Sequence, residues 1–166
     1  MLGVTPNGGN FELTRDTSRT YEDQLLFRMA VNWQNSGSTP ALNSVVFCDC
    51  IIQEPSKEVP HGFSWKPISA EQKTTVIGPN RTVSTRAIIL TRSEIISVAK
   101  REIRIFIISE AKYETIFRSL GPRSTKYCFE IVPLGGPENF LGDDLEAEQV
   151  FQCFNFISTG SFNSTN

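Results

Sequence analysis

The chain has a single histidine, no phosphate-binding loop and no EF-hand loop, and each lack removes a class of enzyme or ligand site. His61 has no Gly-x-Ser-x-Gly motif near it, so no serine-hydrolase site is predicted. Residues 135–137, Gly-Gly-Pro, lack the lysine and the following helix that a phosphate-binding loop requires. The acidic residues of 143–148 lack the glycine and the twelfth-position glutamate of an EF-hand, and they indicate a solvated loop. We therefore predict no enzymatic activity and no cofactor.

The four cysteines, Cys48, Cys50, Cys128 and Cys153, include no Cys-x-x-Cys pair, which argues against a redox motif or a zinc site. Cys48 and Cys50 lie two residues apart in a predicted strand, so their side chains share one face of it. Small buried thiols are the favoured interpretation. A disulfide between strands is the alternative if the compartment is oxidising. A zinc site that adds His61 fits no common zinc-ligand spacing, so no metal site is predicted.

Long apolar runs are also missing. The longest, such as Ile105–Ile108, are far too short to cross a bilayer, and the first 20 residues hold no apolar stretch of signal-peptide length. The net charge of -2 predicts no bulk affinity for nucleic acid. Residues 81–126 nevertheless carry a net charge of +6 and residues 127–166 a net charge of -6. We expect the two parts to pack together or to be solvated; the alternative is a basic patch for an anionic partner such as lipid headgroups.

What the sequence does contain is strand periodicity. In residues 25–35 apolar side chains occupy every second position, which predicts a strand with one apolar face, and Trp33 on that face is expected in the core. Residues 35–40 favour a tight turn, in which Asn35 can bond its own turn and Gly37 permits a positive φ. Residues 43–53 are predicted to be the partner strand; apolar residues on both of its faces indicate a central or partly covered position.

The remaining elements follow from turns and caps. Further strands are predicted at 11–15, 73–78, 81–90, 103–118, 124–132 and 149–157, with loops at 54–69 and 133–148. The segment 103–118 is either one long strand or a bent pair. Gly78-Pro79-Asn80 is a turn signal, and Gly121-Pro122 predicts a hairpin. Thr91-Arg-Ser-Glu94 is a capping box that starts one short helix, about 91–101. The pattern predicts an immunoglobulin-like β-sandwich of about seven to eight strands, as a single domain over 11–157 with a flexible N-terminus (1–10) and a disordered tail (158–166).

The stretch 31–45 resembles a signature of bacterial immunoglobulin-like domains. There a strand ends in Asn-x-Gly (here Asn35 to Gly37), a polar turn with Pro-Ala follows (here 40–41), and the next strand begins with valine (here Val45). Over roughly residues 10–132 the arrangement is similar to a group of uncharacterised bacterial proteins, in which a membrane-spanning N-terminal part precedes one soluble β-sandwich. The resemblance implies a membrane-associated protein. The sequence departs from the group in lacking the membrane segment, and the resemblance does not extend to its acidic C-terminal part.

The candidate contact residues are His61, Phe63 and Trp65 in the proline-rich loop, and Lys100, Arg101 and Arg104 at the predicted helix end. The aromatic group would form a contact surface if exposed; the alternative is a loop folded over the sandwich edge. For the basic group, capping of the helix dipole explains Lys100 and Arg101, and a headgroup or partner contact is the alternative.

We therefore expect a non-catalytic immunoglobulin-like interaction domain, the soluble part of a bacterial membrane-associated protein, that binds another protein or itself. Contacts would use loops at one end of the sandwich or an exposed sheet edge. The alternative is a small-molecule or carbohydrate-binding sandwich that uses the aromatic 60–68 loop. No nucleic-acid partner is expected. Membrane association would use a segment absent from this chain, with the cytoplasmic side favoured over the periplasmic.

Overall fold

The computed structural model describes residues 4–20, 24–59, 74–140, 147–159 and 164–165. Its strands are β1 (Val4–Arg15), β2 (Leu25–Asn35), β3 (Ala41–Gln53), β4 (Thr75–Ile77), β5 (Thr82–Ser84), β6 (Ile88–Thr91), β7 (Arg104–Glu114), β8 (Arg123–Pro133), β9 (Phe154–Ser158) and β10 (Ser164–Thr165). Its helices are α1 (Arg92–Ala99) and α2 (Ala147–Gln152), with short 3-10 turns at Arg118–Leu120 and Pro137–Phe140. The fold class is mainly β, as predicted, with the strands in two antiparallel sheets.

The first sheet is built around β2, which pairs with β1 along one edge and with β5 and β6 along the other. The bounds of β2 are those that the alternation predicts. β5 and β6 replace the single strand predicted for 81–90, because the ladder breaks at Thr85. There the Val31 amide donates to the Thr85 hydroxyl at 3.0 Å, and the Thr85 amide donates to the Val31 carbonyl at 2.9 Å. The threonine hydroxyl therefore replaces a backbone acceptor at the break.

The second sheet is built around β7, which pairs with β3 and β8. β4 extends the sheet beyond β3, and β9 and β10 both pair with β8. The predicted pairing of 43–53 with 25–35 is wrong, since β2 and β3 belong to different sheets. The prediction of a central strand is confirmed, because β3 lies between β4 and β7. Apolar residues on both faces of β3 indicate a strand inside its sheet, but they do not indicate which strand it pairs with.

Asn35 explains why the chain leaves the first sheet. Its buried side-chain amide donates to the carbonyls of Thr39 at 2.8 Å and Ile77 at 2.9 Å, and its side-chain oxygen accepts from the Gly37 amide at 3.0 Å. These bonds confirm that Asn35 holds its own turn, and they connect it to β4. Among the described residues, the glycines with positive φ are Gly8 and Gly121, so the turn does not use a left-handed Gly37.

The main core lies between the sheets. β2 contributes Phe27, Met29, Val31 and Trp33, and β7 contributes Ile105, Ile107, Ala111 and Tyr113. Trp33 is 0% exposed, which confirms its predicted core position. Its indole nitrogen donates to the Ser109 hydroxyl at 2.8 Å, and that hydroxyl donates to the Phe47 carbonyl at 2.6 Å. The buried polar atoms of this pair are thereby satisfied.

A second, smaller cluster lies on the other face of β7. Phe106, Ile108 and Cys128 are buried there, with Ile51 and Val59 packed against them. β7 is therefore apolar on both faces, which is the pattern of a strand that is covered on both sides.

The capping box predicts the start of α1 correctly. The Glu94 amide donates to the Thr91 hydroxyl at 3.3 Å, and the Thr91 amide donates to the Glu94 carboxylate at 2.7 Å. Ile95 and Val98 then face the core, three residues apart on one side of the helix. The turn at 78–80 is also confirmed, with the Arg81 amide bonded to the Gly78 carbonyl at 3.1 Å.

The chain ends and the segment before β9 differ from prediction. Residues 4–10, expected to be flexible, belong to β1, and Ser164–Thr165 of the expected tail pair with β8. The strand predicted for 149–157 is wrong over its first half, which forms α2. Val150 of α2 and Phe154 of β9 both lie in the main core. The predicted domain bounds of 11–157 stay a prediction.

None of the helices in the described ranges has the length and apolar character that crossing a membrane requires.

Candidate functional site

The structure describes three of the six predicted contact residues. His61, Phe63 and Trp65 lie outside the described residues. Arg101 and Arg104 line one cavity of about 240 Å³ beside the end of α1, which Glu130 also lines. Lys100 is exposed and forms the C-cap of α1. The structure therefore brings two of the three basic candidates together, next to an acidic residue.

Arg104 is fully engaged within the fold. Its guanidinium donates to both carboxylate oxygens of Glu130, at 2.7 and 2.8 Å, and to the Lys57 carbonyl at 3.1 Å. It also lies 4.8 Å from the centre of the Phe106 ring. Hydrogen bonding to the Glu130 carboxylate raises the pKa of Arg104 above its ordinary value. A bidentate, partly buried pair of this kind positions neighbouring strands and leaves the guanidinium little capacity for a partner.

Arg101 ends α1 in an unusual conformation. Its φ is 61°, in the left-handed region that favours glycine. The Glu102 amide donates to the Ser97 carbonyl and the Arg101 amide to the Val98 carbonyl, both at 2.9 Å. These two bonds form a Schellman motif, in which glycine usually occupies the position of Arg101.

Arg101→Gly is expected to raise the free energy of unfolding by about 1 kcal/mol, because glycine adopts this conformation without the steric cost of a Cβ. Urea denaturation of both proteins measures the difference. Lys100→Gly is the matched control: Lys100 has a φ of -78°, so glycine there relieves no strain and should lower stability by about 0.5–1 kcal/mol. A less stable Arg101→Gly variant would mean that contacts of the arginine side chain outweigh the backbone strain.

Burial shields three of the four cysteine thiols, those of Cys48, Cys50 and Cys128. The four cysteines form no disulfide, and Cys48 and Cys50 both pack against the main core, which confirms that they share a face. Burial raises the pKa of Cys48 to about 12, and of Cys50 and Cys128 to about 11. These thiols are therefore protonated near neutral pH, and a protonated thiol is a poor nucleophile and metal ligand. Within the described ranges no three His, Cys, Asp or Glu side chains are grouped as a metal site would require.

Part of the basic charge of 81–126 is paired within the second sheet. The buried carboxylate of Glu110 lies 3.7 Å from the Lys112 ammonium and 3.8 Å from that of Lys126, and it accepts from the Ser124 hydroxyl at 3.0 Å. The pair of Arg104 with Glu130 joins the basic and the acidic parts of the chain. The pair of Arg104 with Glu130 agrees with the expectation that the two parts pack together, whereas the Glu110 contacts lie within the basic part.

An exposed apolar surface lies at the tip of the hairpin between β7 and β8. Ile116, Phe117 and Leu120, here called the hairpin tip, are 46, 53 and 42% exposed. The tip is held by internal hydrogen bonds to the Phe117 carbonyl, from the Thr115 hydroxyl at 3.2 Å and the Leu120 amide at 3.0 Å. Gly121, with a φ of 66°, completes the predicted hairpin.

The sequence prediction did not single out the hairpin tip, because it extended the strand to residue 118. The available signal was three large apolar side chains within five residues of the Gly121-Pro122 turn. In a hairpin loop, where polar residues are usual, such a group has no core face to occupy.

Comparison of the chain with protein-family models, with curated proteins and with solved structures yields no significant match.

Proposed function

We propose that this chain is a non-catalytic interaction domain that binds another protein through the hairpin tip. The observation that carries the proposal is the exposure of Ile116, Phe117 and Leu120 on one short loop. Single exposed apolar residues are common on protein surfaces, but three together in a loop mark a contact surface more often than chance.

The local geometry suits a contact surface. The hydrogen bonds to the Phe117 carbonyl fix the loop backbone, so less conformational entropy is lost when a partner binds. Phe117 is the most exposed of the three side chains, and aromatic side chains of this kind act as interface anchors. The loop also lies at one end of the two sheets, where the turn that Asn35 holds is located.

The wider proposal keeps the expectations from sequence. The domain would be immunoglobulin-like and would be the soluble part of a bacterial membrane-associated protein. Its partner would be a protein that presents an apolar pocket, either a second copy of this chain or a different protein.

A photo-crosslinking amino acid in place of Phe117, introduced in the cells that produce the protein, tests the proposal. We expect a covalent adduct of one defined mass. That mass shows whether the partner is a second copy of this chain or a different protein. Val76 is the matched control position, because it is 60% exposed and lies on β4, outside the hairpin tip. The adduct should disappear when Ile116 and Leu120 are both changed to serine. Equal adducts at 117 and 76, or none at 117, would contradict the proposal.

The serine variants should remain folded. Ile116, Phe117 and Leu120 are half-exposed, and substitutions at such surface positions change the free energy of unfolding by only about 0.5 kcal/mol. Thermal unfolding of the purified variants, followed by circular dichroism, checks this, so a lost adduct can be assigned to lost contact.

A further inference from the structure

A cavity of about 290 Å³ lies between the two sheets. Met29 and Val31 of β2 line it from the first sheet, and Cys48 of β3 and Ile107 of β7 line it from the second. Phe11 of β1 and Phe156 of β9 stand at its rim, with their rings stacked at 5.5 Å. The cavity therefore extends the main core toward one open side of the two sheets, and the sequence prediction gave no indication of it.

A bulge in β1 shapes the cavity on its open side. The pairing of β1 with β2 shifts between Pro6 and Gly9, and Gly8 has a φ of 75°. A Cβ on Gly9 would lie 2.9 Å from the Ala30 carbonyl oxygen, so this position does not accept a side chain. Because Gly8 and Gly9 carry no side chains, the bulge leaves a gap beside Phe11 where a packed strand would close the cavity.

The described part of the lining carries no charged side chain. Among the lining residues that the structure describes, the side chains are aliphatic or aromatic, apart from the Met29 thioether and the Cys48 thiol. Burial raises the pKa of that thiol to about 12, so it stays neutral and offers no charge to a ligand. A carbohydrate, which needs several directed hydrogen bonds, fits this lining poorly. An apolar molecule fits it well.

We propose that this cavity binds an uncharged, apolar small molecule the size of a two-ring aromatic or a medium-length hydrocarbon chain, which enters at the β1 bulge. The size follows from comparison with an engineered apolar cavity of about 150 Å³, which holds one benzene. The aromatic rim of Phe11 and Phe156 would close over the ligand. The site is separate from the hairpin tip and does not depend on the proposed function.

The test uses the neutral two-ring fluorophore prodan (6-propionyl-2-dimethylaminonaphthalene) and the complete chain. We expect its emission to rise on binding to the wild-type protein. Cys48→Phe places a ring in the cavity and should weaken binding about tenfold or more, a change of about 1.4 kcal/mol. Cys50→Phe is the matched control, since Cys50 lies on the same face of β3 but does not line the cavity. It should bind the fluorophore as the wild type does.

A measurement on the wild-type protein tests the proposal even if the Cys48→Phe variant does not fold. In methyl NMR spectra the fluorophore should shift the signals of Met29, Val31 and Ile107, which line the cavity, and leave that of Ile108, in the second cluster, unchanged. No emission change, unchanged lining signals, or full binding by a folded Cys48→Phe would overturn the proposal. The Phe117→Ser variant should bind the fluorophore as the wild type does. The proposals for the cavity and for the hairpin tip can therefore be contradicted independently.

Discussion

Replacing Trp33 with alanine should lower the free energy of unfolding by about 3–5 kcal/mol, which is a large part of the stability of most domains. The side chain is 0% exposed in the core between the sheets. Its loss removes a large apolar contact with both sheets and leaves a void that the surrounding strands fill only in part. It also removes the donor to the Ser109 hydroxyl.

Two variants separate these contributions. Trp33→Phe keeps most of the buried ring but cannot donate to Ser109, so it should cost less than alanine. Ser109→Ala keeps the ring but leaves the indole N–H without its acceptor, which should lower the free energy of unfolding by about 1–3 kcal/mol. The three variants are compared by urea denaturation followed by circular dichroism. Tryptophan fluorescence is not a suitable probe, because two of the variants replace Trp33 itself. A loss below about 1 kcal/mol for Trp33→Ala would contradict the buried position.

The second large effect is expected for Asn35→Asp, at about 3–5 kcal/mol near neutral pH. The substitution keeps the shape of the side chain but replaces an NH2 donor with an acceptor. That atom would then face the Thr39 and Ile77 carbonyls, now 2.8 and 2.9 Å away, as a buried charge without a donor from either. The turn that carries the chain from β2 to β3 would lose two of its three side-chain bonds.

The effect of Asn35→Asp should depend on pH in one direction. Repulsion from two carbonyls and burial raise the pKa of the new carboxyl in the folded state above its unfolded value near 3.9. Such a group favours the folded state below the unfolded pKa, and this contribution is lost as the pH rises. The stability gap to the wild type should therefore widen from acidic to neutral pH. Asn35→Ala is the control: it loses all three side-chain bonds but introduces no titratable group, so its gap should stay constant with pH.

Local patterns made the successful predictions possible. The capping box needs only Thr91 and Glu94, four positions of sequence, and the alternation of β2 needs only its own residues. The break at Thr85 was missed because it depends on a bond to Val31, which is distant in sequence. The strand predicted in place of α2 failed for a similar reason, since a six-residue segment carries too little periodicity to tell a helix from a strand.

The candidate sites were harder to predict than the strands. Residues 4–10 contain Pro6, Gly8 and Gly9, which are turn signals, so the sequence indicated a flexible end and not a bulged strand. The cavity depends on that bulge and on the approach of β1 to β9, and no local pattern reports such an approach. The hairpin tip was hidden because apolar residues that follow a strand look like its continuation.

The apolar character of both faces of β7 has a consequence for the unfolded chain. Ile105–Ile108 is a run of four large apolar residues with high β-propensity, the composition of segments that start aggregation. In the folded protein β3 and β8 occupy both of its hydrogen-bonding edges. Before those strands pair, the charged residues nearest the run, Arg104 and Glu110, oppose stacking between chains. They act as gatekeepers, and in the folded protein Glu130 pairs with Arg104, while Lys112 and Lys126 lie beside the Glu110 carboxylate.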